Sequence, residues 1–268
     1  MWWRDIVVTG VGVTLADASG ARFEPKSVLG PKGLRYKDRA SQLGMSAALL
    51  ALESAGQEIV RAADGTVRNG PLSPDTGVVV SSNRGNLDTV CRAAEVIRDQ
   101  SAAGTAPMDL PNASPNVVAS SIAIRFGLQG PNVMLCSGEG SGLEAVRMGA
   151  VLIGSGRAAR VVVVGVEPAN AAVAALLSIE DADCFDGAAA LVLEHRSSAR
   201  RPLAGITGWQ RAGGPAASEG HEHASGARGV LLTVDAVQAI ANGSASADVA
   251  DAGRDGLRLA LHREGSAV

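Results

Sequence analysis

Residues 130–153 read GPNVMLCSGEGSGLEAVRMGAVLI, and the changes of residue type along this stretch decide the fold. Gly130-Pro131-Asn132 is turn punctuation. Val133 to Ser137 is a short apolar run that reads as a strand. Gly138 to Gly142 forms a glycine-rich elbow, and Leu143 to Ile153 carries the apolar spacing of a helix. A strand that enters a helix through such an elbow presents one side chain at the helix N-terminus, where free N–H groups and the helix dipole favour negative charge. That side chain is Glu139. Nucleophiles gain from this position, whereas a carboxylate suits it electrostatically but is a poor acyl acceptor. Taken alone, the segment reads as an anionic helix start without chemistry.

The alternation continues outward. Upstream, Val117 to Phe126 reads as a helix stopped by Gly127, after a Pro-, Ala- and Ser-rich surface connection at 101–116. Leu87 to Asp99 and Ser41 to Ala55 also read as helices, the latter ended by Gly56. Thr76 to Ser81 reads as a buried strand, as does Ile6 to Val13, with Gly10 and Gly12 marking a tight turn. Downstream, Arg160 to Val164 and Ala188 to Glu194 are buried strands, Val230 to Ala241 a helix, and Leu257 to His262 a closing strand. Strands alternating with helices imply an α/β fold whose sheet is covered on both faces. Arg211 to Ala227 is polar and glycine-rich, with little core-forming potential.

Composition narrows the function classes. The 268 residues are 46% hydrophobic, include 33 glycines and carry a net charge of −3. That apolar content opposes disorder, and the charge balance gives no support for nucleic-acid binding. Cys91, Cys136 and Cys184 are too few and scattered for a disulfide framework. No cofactor is expected. Gly10-Val11-Gly12 lacks the third glycine of a dinucleotide fingerprint, because position 15 is Leu. His221-Glu222-His223 lacks a convergent third ligand for zinc and reads as a solvated loop. The amino terminus leads straight into a strand without a signal-peptide pattern. No apolar run approaches the roughly 20 residues that span a bilayer, so a soluble cytoplasmic protein without membrane contact is expected.

Five segments together resemble the β-ketoacyl synthase family of the thiolase superfamily. Ile6 to Val13 (IVVTGVGV) is similar to the family's opening strand, and Thr76 to Ser82 to its GVVVGS strand. Asn116 to Asn132 (NVVASSIAIRFGLQGPN) resembles the segment before the active-site elbow. Gly156 to Glu167 and Asp186 to Glu194 resemble the following two strands. The resemblance implies a thiolase-like layered αβαβα fold whose C-terminal half is strongly shortened. Residues 1–200 would form the N-terminal half with elbow and dimerisation segment, and 201–268 a reduced remnant of the other half.

Aligned this way, the family's nucleophilic cysteine falls on Glu139. Cys136 falls three residues early, inside the strand, where it reads as structural. His223 falls on one catalytic-histidine position. The other has no counterpart, since residues 202–220 contain no His. Condensation in the family needs the thiol and both histidines.

The resemblance therefore implies a non-catalytic, chain-length-factor-type subunit. It would pair as a heterodimer with an active ketosynthase, serve the same acyl carrier protein and shape the acyl tunnel. The interface positions implied are Asn116, Val117, Ile122, Arg125, Phe126, Val133, Met134 and Leu135. Arg125, Arg147 and Arg157 are candidates for carrier-protein docking. Two other readings stay open: a malonyl-carrier-protein decarboxylase with Glu139 in place of Cys, and a homodimeric scaffold.

Overall fold

A computed structural model describes residues 2–67, 73–107, 110–211, 221, 223–250 and 257–264. In chain order the elements are β1 (Ile6–Thr14), α1 (Lys26–Leu29), α2 (Arg39–Ser54), β2 (Thr76–Ser81), α3 (Leu87–Gln100), α4 (Val117–Phe126), β3 (Asn132–Leu135), α5 (Ser141–Gly154), β4 (Arg160–Glu167), α6 (Ala171–Leu177), β5 (Gly187–His195), β6 (Ala204–Arg211), α7 (Arg228–Ala241), β7 (Ser246–Ala250) and β8 (Leu257–His262). Local chemistry sets several boundaries. Asp38 caps α2 by accepting from Ser41 N at 2.6 Å, which satisfies an N–H that has no partner inside the helix. α4 ends where Gly127 adopts a left-handed φ of 66°, a conformation that costs glycine little.

The strands form one sheet in the order β3-β2-β4-β5-β1-β6-β8-β7. β3, β2 and β4 run parallel, and the remaining pairs are antiparallel. Every β4 residue after Arg160 is buried, as its unbroken valine run requires of a strand covered on both faces. On one face, α2 and α4 pack over Val78, Val80, Val162 and Val164. On the other, α5 and α7 pack over Val79, Val161, Val163, Leu191 and Leu193.

The last three strands leave the plane. β1 and β6 share only two register pairs, Val7 with Gly205 and Val8 with Ala204. Yet α5 touches β2, β4 and β8, while α7 touches β4, β5 and β7. Strands at the spacing of a flat sheet would put β4 and β7 about 24 Å apart, beyond the width of one helix. The β6–β8–β7 limb therefore curls over α5 and α7, and Ile206, Val249, Leu259 and Leu261 join their core. This gives the layers helix, sheet, helix, sheet.

Two readings need correction. Gly10 and Gly12 are not a turn; they lie inside β1. A Cβ on Gly10 would sit 2.2 Å from Ala51 O, and one on Gly12 would sit 2.3 Å from Ala47 O. The glycines form a groove that lets α2 lie directly on the strand. Cys136 is also outside β3, which ends at Leu135, and it is exposed rather than a buried strand residue. α6, β6 and β7 had no counterpart among the sequence expectations.

Candidate functional site

The parallel strands β2, β3 and β4 all end on the same rim, where the elbow 136–140 leads into α5. Three small residues fix the approach of the helices there. Gly142 lies against the backbone of Gly229 and Gly226. Ser141 Oγ, fully buried, is 2.7 Å from Ser81 Oγ, which also donates to Gly226 O at 2.6 Å. These contacts tie the end of β2, the start of α5 and the turn Ser225–Ala227 before α7 into one unit.

Glu167, the last residue of β4, is the electrostatic centre of that unit. It is 1% exposed. Its carboxylate accepts from Asn83 N at 2.7 Å, Arg84 N at 3.1 Å and Gly226 N at 3.0 Å. Burial pushes its carboxyl above the usual carboxylate range, against the pull of these backbone donors. Asn83 continues the bracing: its amide donates to Gly138 O and Ser225 Oγ, both at 2.9 Å, and its Oδ1 accepts from Gly138 N at 3.1 Å. Gly138 has φ 87°, which glycine supplies without strain. The elbow's shape is thus held from below by Asn83, itself held by Glu167.

Glu139 stands on this braced elbow, exposed. The reading of Glu139 as the helix cap is corrected: the N-cap of α5 is Gly140, without a side-chain cap, and the acid in the first turn is Glu144. Glu144 pairs with Arg147 at 2.8 Å. Partial burial of the Cys136 thiol, and secondarily the Glu167 carboxylate, push that thiol up, which disfavours the reactive thiolate. His223 is exposed, two residues before Ser225. Asn83 joins its segment to the elbow. His221 adopts φ 54° and its Nε2 is 2.8 Å from Asp235 Oδ2. Among the described residues no group of His, Cys, Asp and Glu gathers as metal ligands; Glu222 lies outside them.

The eight implied interface positions divide by burial. Val117, Ile122 and Phe126 belong to the chain's own core under α4. Arg125 is half-buried and donates to Leu29 O at 3.3 Å, and burial lowers its affinity for the proton. Asn116 donates to Ser120 Oγ at 3.1 Å. Val133, Met134 and Leu135 are half-exposed on β3, an edge strand. Pro131 O and Leu135 O bond to Val78 N and Ser82 N of the β2 segment. By strand alternation, the backbone groups of Asn132 and Met134 face away from β2, toward the open edge. α4 adds Ile124, 69% exposed, which sequence reasoning did not select. Its place in a helical pattern otherwise rich in apolar residues gave no sign of which face would be uncovered.

A strand–elbow–helix unit on the rim of a layered α/β sheet is the architecture of thiolase-like proteins. Residues 21–216 match the family model described as beta-ketoacyl synthase, N-terminal domain, and the chain belongs to that family. It is similar to the 3-oxoacyl-[acyl-carrier-protein] synthase 2 of Vibrio cholerae, at 26% identity over 148 residues. The corresponding Rhizobium meliloti synthase matches at 28% over 155 residues. The first match covers 55% of this chain and 34% of the relative, so it spans about a third of that relative's length. Among solved structures, the ishigamide ketosynthase/chain length factor superposes with a TM-score of 0.73 at 20% identity, covering 97% of this chain and 100% of that one. A type II polyketide acyl-carrier protein in complex with its ketosynthase gives 0.75 at 16%, covering 96% and 98%. These structures share the ketosynthase fold. Among the described residues, no helix is long and apolar enough to cross a membrane.

Proposed function

We propose that this chain is a non-catalytic ketosynthase-like subunit of the chain-length-factor type. It pairs with an active β-ketoacyl synthase in polyketide or fatty-acid-like chain elongation, completes the partner's acyl tunnel and works with the same acyl carrier protein in the cytoplasm. One observation carries the reading: the elbow is braced by Asn83 and Glu167, but the side chain it presents is the exposed carboxylate of Glu139. A carboxylate cannot hold an acyl chain as a thioester. Cys136, five residues before α5 and with a raised thiol pKa, is a poor substitute. Residues 201–268, which supply the curled limb, act as the reduced counterpart of the family's second half.

The open edge of β3 supports the pairing. Its outward N–H and C=O groups, which pair with no other strand among the described residues, are a template for a strand of another subunit.

The test is co-expression with a ketosynthase encoded nearby, gel filtration with mass determination, and product analysis. A heterodimer whose product length differs from that of the synthase alone is expected. A stable homodimer that ignores the synthase supports the scaffold reading instead. Conversion of malonyl-carrier protein to acetyl-carrier protein by the isolated chain overturns the non-catalytic reading.

A further inference from the structure

At the opposite end of β4 from the elbow, a cleft of about 340 Å³ is lined by Thr9, Ala55, Gly56, Gln57, Arg160, Glu194, Ser198, Arg200 and Arg201. Arg160 begins β4 and Glu167 ends it, so at about 3.3 Å per residue the cleft lies roughly 23 Å from the elbow bracing. It is separate from the surface proposed for pairing and from the elbow.

Its charge is organised. Glu194, the only acid lining it among the described residues, is 5% exposed and accepts from Arg160 Nε at 2.7 Å. Arg160 Nη1 donates to Gln57 Oε1 at 2.8 Å. Gln57 thus accepts through its oxygen, and its amide nitrogen remains a donor. Arg200 and Arg201 are exposed, and among the described residues neither guanidinium has a hydrogen-bond or ion-pair partner. Three arginines against one glutamate leave two positive charges in excess. The C-terminus of α2, with Ala55 as its C-cap, opposes them with only about half a negative charge. The remaining polar groups are mainly donors: the Gln57 amide, the Ser198 hydroxyl and the arginine forks.

We propose that this cleft binds a small phosphate-bearing molecule, with Arg200 and Arg201 gripping the phosphoryl oxygens and the Arg160–Glu194–Gln57 cluster forming the floor. A phosphate monoester carries a charge of about −1.5 to −2 at neutral pH, which matches the excess. Guanidinium forks engage phosphoryl oxygens in bidentate fashion. The volume lies at the low end of small-molecule sites, which suits a phosphate with a short attached group.

The test is calorimetric titration of the full chain with inorganic phosphate and, separately, with glycerol phosphate, at constant ionic strength because screening weakens such contacts. Acetate serves as the monoanion control. Saturable binding of at least one phosphate probe, at least ten-fold tighter than acetate, is expected. Tighter binding of glycerol phosphate assigns the site to a phosphorylated metabolite, and equal binding assigns it to free phosphate. The double variant R200A/R201A should weaken binding at least ten-fold while its melting temperature stays unchanged. Absence of saturation with both probes, acetate binding as tight as phosphate, or full affinity in the double variant overturns the proposal.

Discussion

Replacing Gly142 with alanine tests the contact on which the site's geometry rests. The new methyl would lie 2.6 Å from Gly229 N, 2.8 Å from Gly229 Cα and 3.1 Å from Gly226 O. Ordinary carbon contacts fall at about 3.5–4 Å, so α5 and α7 must separate by roughly 1 Å. All three neighbours are backbone atoms, so no side-chain rotation relieves the overlap. Overpacking in a close-packed interior costs about 1–3 kcal/mol, and relief by backbone movement alone puts this case near 3 kcal/mol. The better helix propensity of alanine returns about 1 kcal/mol, leaving a net loss of about 2 kcal/mol. For a chain of this size each kcal/mol shifts Tm by about 2–4 °C, so a fall of roughly 4–8 °C is expected in a thermal melt. Gly208→Ala is the control, because a Cβ there meets no atom within 4 Å; its change should stay within about 0.5 kcal/mol. A Gly142→Ala protein that melts at or above the parent would refute the close approach and the joining of the 223–227 segment to the elbow.

The remaining predictions concern the β3 edge, the buried acid and a buried ion pair. Met134→Pro removes an N–H that faces the open edge rather than β2, a position where proline is tolerated in strands. The variant should keep its melting temperature yet fail to co-elute with a partner synthase, and retained pairing would exclude β3 as the contact. Glu167 has a folded pKa above its unfolded value, so the native state binds more protons than the unfolded chain between those two values. Its contribution to stability therefore falls as pH rises from about 4.5 through the folded pKa, where the unfolded reference is near the ordinary carboxylate value. Urea melts across pH should show that slope lost in Glu167→Gln, whereas Glu167→Ala, which strands the N–H groups of Asn83, Arg84 and Gly226, should lose about 1–3 kcal/mol per unsatisfied donor. Arg39→Ala leaves the Asp186 carboxylate, 5% exposed and paired with Arg39 at 2.6 Å, without its cation. Urea denaturation should register a loss of about 3 kcal/mol, and a loss below 0.5 kcal/mol would mean that solvent already screens the pair.

Much of the first sheet was legible because local signals agree with the fold. The valine run of β4 reads as a doubly covered strand from residue type alone, and Gly127 announces the end of α4. The placement of an acid at the elbow followed from spacing along the chain. The α6 helix was not legible: Ala171–Leu177 is short, and Leu176 is 62% exposed, so its pattern lacks a clear buried stripe. Gly10 and Gly12 misled because a glycine needed for a turn and a glycine needed for close helix approach look the same in one dimension. The bracing of the elbow was equally hidden, since Asn83, Gly138, Glu167 and Ser225 lie far apart in sequence and carry no shared local pattern.

The chain's own residue order determined the alternation of strands and helices, the family and an acid on the elbow before α5, because each depends on local propensity or on spacing between neighbours. Tertiary structure alone decided that β6–β8–β7 curls over α5 and α7, that Glu167 is buried beneath the elbow, and that Arg160, Arg200 and Arg201 share one cleft. Those outcomes depend on which distant surfaces exclude water together and which buried charges find partners, and no short stretch of sequence fixes either.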